Sequence, residues 1–89
     1  MIRVNSVHPT TVDTDMVQND AMYALFAPDL AEPDRTRGRL TERFQAINAL
    51  PIPWVESADI SSAVLWLASE ESRYVTGVTL PVDAGSVLL

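Results

Sequence analysis

Ser6, His8 and Asp13 carry the atoms of a nucleophile relay within one short stretch. Such a relay needs a hydroxyl, an imidazole to take its proton and a carboxylate to orient the imidazole. Ser6 and His8 lie two apart in an extended run and face the same way, but nothing in the sequence aims Asp13 at the ring. His8, Asp13 and Asp15 also hold ligand atoms for a metal. A lone histidine beside a proline turn is more often structural, and no metal site is assigned. The hydroxyls of Thr10, Thr11 and Thr14 follow Pro9, in a polar loop of the kind that closes over a ligand at the end of a strand.

Absent residues narrow the chemistry further. There is no cysteine, hence no thiolate nucleophile, thiolate metal site or disulfide. All six basic residues are arginines, so no lysine is available to activate a tyrosine; the residues four after Tyr23 and Tyr74 are Ala27 and Val78. Gly38, Gly77 and Gly85 have none of the spacing of a phosphate-cradling loop. What remains is a hydroxyl-rich loop without an acid/base pair.

The elements that must position this loop follow from apolar patterning. Ile2, Val4 and Val7 predict a strand over 2–7, without the clean alternation of a half-exposed one, and Pro9 is expected to end its ladder. A helix is expected over 15–26, capped by Thr14, with Met16, Val17, Met22, Tyr23, Leu25 and Phe26 on its apolar face. Pro28 and Pro33 punctuate a loop over 27–35. A second helix follows over 34–48, with Leu40, Phe44 and Ile47 on one face and Gly38 weakening its first turn by about 1 kcal/mol. Leu50 to Trp54 is kept extended by two prolines. A third helix, from Ser57 or Ala58 to Glu70, has Ser57 as cap and Asp59 near its positive end. It is apolar nearly all the way round, which asks for cover on more than one side. Residues 78–82 read as a second strand. The order is strand, three helices, strand, which for parallel strands implies a right-handed crossover.

Composition sets outer bounds. A chain of 89 residues is at most one domain. A net charge of −6 argues against nucleic acid and anionic membranes as partners. No apolar run approaches the roughly 20 residues of a membrane span, and no secretory signal is visible, so a cytoplasmic protein is expected. Arg35, Arg37, Arg39 and Arg43, interleaved with Asp29, Glu32, Asp34 and Glu42, read as a solvated face rather than a phosphate grip. Trp66 is expected to be buried against the sheet or a subunit. Two strands needing cover on both faces do not form an independent sheet.

Arg3 to Thr14, Ala58 to Gly77 and Val78 to Gly85 together resemble the C-terminal part of a short-chain dehydrogenase/reductase. Leu50 to Glu56 is similar to the actinobacterial subgroup described as mycofactocin-dependent, which includes carveol-dehydrogenase-like enzymes. The resemblance implies an α/β fold, the C-terminal part of a Rossmann-type doubly wound sheet, in which residues 1–89 are a partial domain and 15–54 a substrate-lid insertion. It implies NAD as cofactor and oxidation of secondary alcohols or reduction of ketones. Pro9 and Thr10 would shape the cofactor loop, backbone groups near Val12 would bond the nicotinamide carboxamide, and Thr14 would offer a hydroxyl to the carboxamide or pyrophosphate. Thr10 stands where many members have glycine, a strained substitution if that position uses a positive φ. Met16, Met22, Tyr23, Phe26 and Trp54 would serve the substrate lid, with plain core as the competing role for the helical set. The family's Tyr-x-x-x-Lys pair and Gly-rich loop have no counterpart here, so no residue is assigned as catalytic. The expectation is a truncated portion, inactive alone, whose partner is a missing N-terminal Rossmann part or a second copy docked through the last helix and strand. A small acidic, non-enzymatic interaction module is the alternative.

Overall fold

In the computed structural model, which describes residues 1–89, strands β1 (Ser6–Pro9) and β2 (Thr79–Val82) pair in parallel, with Ser6 opposite Thr79 and Pro9 opposite Val82. The first strand therefore lies later than the expected 2–7, and Pro9 belongs to it. Backbone bonds extend the pairing at both ends, from Gly77 to the Val4 carbonyl at 2.7 Å and from Thr10 to the Val82 carbonyl at 3.4 Å. Proline is tolerated because donors alternate in a parallel ladder. The amides of Ser6 and Thr10 point toward β2, so Pro9 lacks its N–H on the opposite edge. Pro81 lacks its donor on the outer edge of β2 for the same reason.

The long connection between the strands is divided by a second contact. Val12 and Val55 form an isolated parallel bridge, in which the Asp13 amide donates to the Val55 carbonyl and the Val55 amide to the Thr11 carbonyl, both at 2.9 Å. Residues 13–54 are thereby closed into a separate excursion. What remains after Val55 is a simple crossover through α3 (Ser57–Ala68) back to β2.

Helices α1 (Asp20–Phe26) and α2 (Arg37–Gln45) form the excursion, and both start later than their sequence patterns suggest. Asn19, not Thr14, caps α1: its side chain accepts from the Met22 amide at 2.9 Å and donates to the carbonyls of Asp15 and Met16. That side chain competes with the backbone for the turn over 14–18 and delays the helix. Thr36 caps α2 through the Arg39 amide, after a separate helical turn at Glu32–Asp34 that Pro33 initiates. For α3 the cap is Glu56 rather than Ser57. Its amide donates to the Asp59 carboxylate at 2.9 Å, the reach-back half of a capping box.

The only contiguous core is inside the excursion. Val17, Tyr23, Ala27, Leu40 and Phe44 are buried together, with Phe26, Leu30 and Trp54 packed against them. The Phe44 ring stacks on Phe26 at 4.3 Å and meets the edge of Trp54 at 5.7 Å. By contrast, α3 buries Leu67 alone, and Trp66 is 42% exposed, so it is not buried within this chain. The end of α3 is held by Arg3, whose guanidinium donates to the carbonyls of Leu67 at 2.9 Å and Val75 at 3.0 Å. A cation there also suits the negative end of the helix. The result is elongated, with a radius of gyration of 16.0 Å, against about 12 Å for a compact domain of this length.

The tail turns on Ala84 and Gly85, at φ 52° and 78°. The Leu50 amide donates to the Ala84 carbonyl at 2.8 Å, which docks the tail on the returning excursion. A Cβ at Gly85 would stand 2.7 Å from the Ala49 Cβ, whereas one at Gly38 would meet nothing within 4 Å. Gly38→Ala, in the first turn of α2, is expected to stabilise by about 0.5–1 kcal/mol. Gly85→Ala is expected to destabilise by more than about 1 kcal/mol, since φ and contact both oppose it. Urea unfolding of the two variants checks this ranking.

Candidate functional site

The loop from Pro9 to Thr14 leaves the C-terminal end of β1, and its polar groups divide into anchored and free ones. Thr10 is anchored. Its hydroxyl donates at 3.0 Å to the side chain of buried Asn48, whose amide donates to the carbonyls of Ile52 at 2.8 Å and Pro53 at 3.3 Å. Thr10 is not among the residues with positive φ, so its place in a position often held by glycine carries no strain. Thr11 and Asp13 are anchored through the bridge to Val55.

Val12 and Thr14 are the free ones. The Val12 amide has no hydrogen-bond partner within the chain, and the Val12 carbonyl receives only a long 3.4 Å bond from the Thr14 hydroxyl. Thr14 is exposed. Both line an open apolar groove of about 670 Å³ whose other wall is the Ile60, Val64 and Leu65 face of α3. An unpartnered amide, a lightly engaged carbonyl and a hydroxyl next to one another make a donor–acceptor set for a planar amide. That is the pattern a nicotinamide carboxamide would use, and the residues present fit such a group.

The structure separates the apolar set expected at a substrate lid. Tyr23 is buried and its hydroxyl donates to Gln18 Oε1 at 2.5 Å, while Phe26 and Trp54 pack on the core around Phe44. Met22 is half-buried, and Met16, at 82% exposure, faces out. Of that set, Met16 carries the most exposed apolar surface, two residues after Thr14.

The arginines lie at the surface, as the charge pattern suggests, but three of the four are tied to partners within the chain. Arg37 grips Asp13 with two bonds, at 2.8 and 2.7 Å, and lies 4.5 Å over the Trp54 ring. Arg43 grips Asp29 the same way, at 2.7 and 2.8 Å, and Arg35 donates to the Ala27 carbonyl at 3.1 Å. Asp13 accepts in addition from Gln18 at 3.0 Å. Its carboxylate is thus engaged away from His8, whose Nε2 lies 3.0 Å from Ser6 Oγ, and the relay of Ser6, His8 and Asp13 is not assembled. Sequence reasoning missed Asp13–Arg37 and Asn48. A polar Asn48 between Ile47 and Ala49 was the one local signal of a buried hydrogen-bonding role.

The enoyl-(acyl carrier protein) reductase family model matches residues 1–87. The chain belongs to the short-chain dehydrogenase/reductase family. It is 53% identical over 87 residues to a (−)-trans-carveol dehydrogenase of Rhodococcus erythropolis, covering 98% of this chain and 31% of that protein. It is 52% identical to a putative short-chain type dehydrogenase/reductase of Mycolicibacterium smegmatis, over 98% of this chain and 30% of the relative. Among solved structures, the carveol dehydrogenase from Mycobacterium avium in complex with NAD superposes with a TM-score of 0.92 at 56% identity, over 98% of this chain and 31% of that one. A short-chain dehydrogenase from Mycobacterium paratuberculosis bound to NAD gives 0.70 at 38% identity, over 98% and 30%. These solved relatives are Rossmann-fold dehydrogenases. The chain spans about a third of the length of the relatives it matches.

The ion pairs set an acid limit. Hydrogen bonding from Arg43 lowers the Asp29 carboxyl to about 2, and Arg37 lowers Asp13 in the same direction. A carboxyl whose folded pKa is depressed contributes stability above its unfolded pKa, and that contribution is lost as pH falls through the folded value. The Asp29 contribution is therefore expected to fade from about pH 4 down through about pH 2. Asp29→Asn should flatten the pH dependence of the urea midpoint over that window and leave its shape above it unchanged.

Proposed function

We propose that this chain supplies the nicotinamide-facing loop and the substrate lid of an NAD-dependent oxidoreductase acting on the CH–OH group of secondary alcohols or on ketones. The observation that carries the reading is the free donor–acceptor set at Val12 and Thr14, at the end of a strand that matches NAD-bound relatives. When bound, NAD accepts or gives the hydride. This chain's own part is to hold the carboxamide face through the Val12 backbone and the Thr14 hydroxyl, with Pro9 and Thr10 fixing the turn. Residues 15–54 form the lid, in which Tyr23, Phe26 and Trp54 build the body while Met16 and Met22 face substrate. The apolar character of those two residues suits a hydrocarbon-rich alcohol such as the one in the relative's name. Membership of the mycofactocin-dependent subgroup rests on Leu50 to Glu56 alone.

No Tyr-x-x-x-Lys pair lies in these residues, so proton transfer must come from elsewhere in an assembled enzyme. Calorimetric titration of the 89-residue chain with NAD is expected to give no measurable binding, because the chain has no phosphate-cradling glycine loop. Saturable binding by the chain alone would overturn the division of labour proposed here.

The bare face of α3 supports a second reading, a self-associating interaction module: Leu65 is 72% exposed and Val64 51%. Light scattering on the purified chain separates the two. A discrete, well-folded oligomer favours the module, and aggregation or an unpacked monomer favours the dehydrogenase segment.

A further inference from the structure

Both helices of the excursion and its returning end are tied, directly or through Gln18, to one aspartate. Asp13 sits between Val12 and Thr14, the two residues with free polar groups. Its carboxylate is gripped by Arg37 from α2 and bonded by Gln18, which also accepts from the buried Tyr23 hydroxyl of α1. Its amide donates to Val55 on the returning strand, next to Trp54, over which the Arg37 guanidinium lies. The Asp13 side chain is 18% exposed and that of Arg37 52%, so the pair is accessible from solvent yet held in fork geometry. The Arg43–Asp29 pair has the same bidentate geometry but ties α2 only to the loop after α1, within the excursion.

We infer that Asp13 and Arg37 are positioning residues that latch the lid to the nicotinamide loop, so that the backbone at Val12 and the hydroxyl at Thr14 reach their cofactor-binding position only with the lid seated. This rests on the reading that Val12 and Thr14 face the nicotinamide. With the latch open, the loop keeps the Thr10–Asn48 bond, the Gln18–Asp13 bond and the Val12–Val55 bridge but loses its direct tie to α2, so the binding-competent fraction falls and apparent NAD affinity falls with it. The Arg43–Asp29 pair provides the control: Arg43 also donates to the Phe26 carbonyl at 3.3 Å, but none of its bonds reaches the Pro9–Thr14 loop.

The test has two arms. In the first, hydrogen exchange of the Asp13 and Val55 amides is followed, without NAD, in the full-length chimera used in the second arm. Exchange is expected to quicken in Arg37→Ala and Asp13→Asn and to stay unchanged in Arg43→Ala. In the second arm, residues 1–87 replace the matched segment of the Rhodococcus erythropolis carveol dehydrogenase. There Arg37→Ala should raise the KM for NAD about five- to tenfold, with Arg37→Lys intermediate because it keeps the charge and loses the fork. Arg43→Ala should leave KM unchanged. Equal effects of Arg37→Ala and Arg43→Ala in either arm would overturn the latch. An inactive parent chimera would count against the proposed function, while the exchange arm would still decide the latch.

Discussion

A parallel pair of strands cannot be joined by a turn, and this constraint organises the whole chain. The polypeptide leaves β1 at Pro9 and must travel the length of the pair before entering β2 at Thr79. The Val12–Val55 bridge makes that journey manageable by closing residues 13–54 on themselves and leaving α3 as an ordinary crossover helix. Everything before the bridge then needs its own core, and it has one around Phe44. Everything after it relies on the sheet, and the sheet has only two strands.

This division explains why burial is so uneven. Within the excursion, two short helices and Trp54 enclose Leu40 and Phe44 completely. Alongside the sheet, most of the apolar surface of α3 and the N-terminal Ile2 and Val4 remain open. Apolar surface of that extent marks a place for a partner. In the proposed enzyme, the cover is the remainder of the doubly wound sheet, in whose solved relatives this segment is about a third of the chain.

Much of this architecture was legible in the sequence. The period of Ile60, Ala63, Val64 and Leu67 and the acidic Asp59 placed α3 within a residue of its observed start, because those signals are local. Thr79 to Val82 was legible because Thr76 and Gly77 mark the turn into it. The start of α1 was misplaced because Asn19 competes for the preceding turn with its own side chain, which apolar periodicity does not register. The strand position was misjudged because whether a proline harms a ladder depends on which edge its nitrogen faces. The loop Pro9 to Thr14 was picked out as a candidate site through resemblance. The grip on it was not legible, since Arg37 and Asp13 are 24 residues apart and Arg43 and Asp29 are 14 apart. Read one by one, alternating arginines and carboxylates look like solvent-facing charge; only the folded excursion shows which of them pair.

The proposed role is that this chain, within an assembled enzyme, holds a nicotinamide and covers a substrate without moving the proton. Supplying the 89-residue chain in trans to the Rhodococcus erythropolis carveol dehydrogenase cut off before its matched segment tests this most directly. Alcohol-dependent NAD reduction is the readout. The account predicts that neither piece reduces NAD alone and that the mixture does. A mixture that associates but stays inactive with the Val12–Thr14 loop intact, or an 89-residue chain that turns over alcohol unaided, would contradict it.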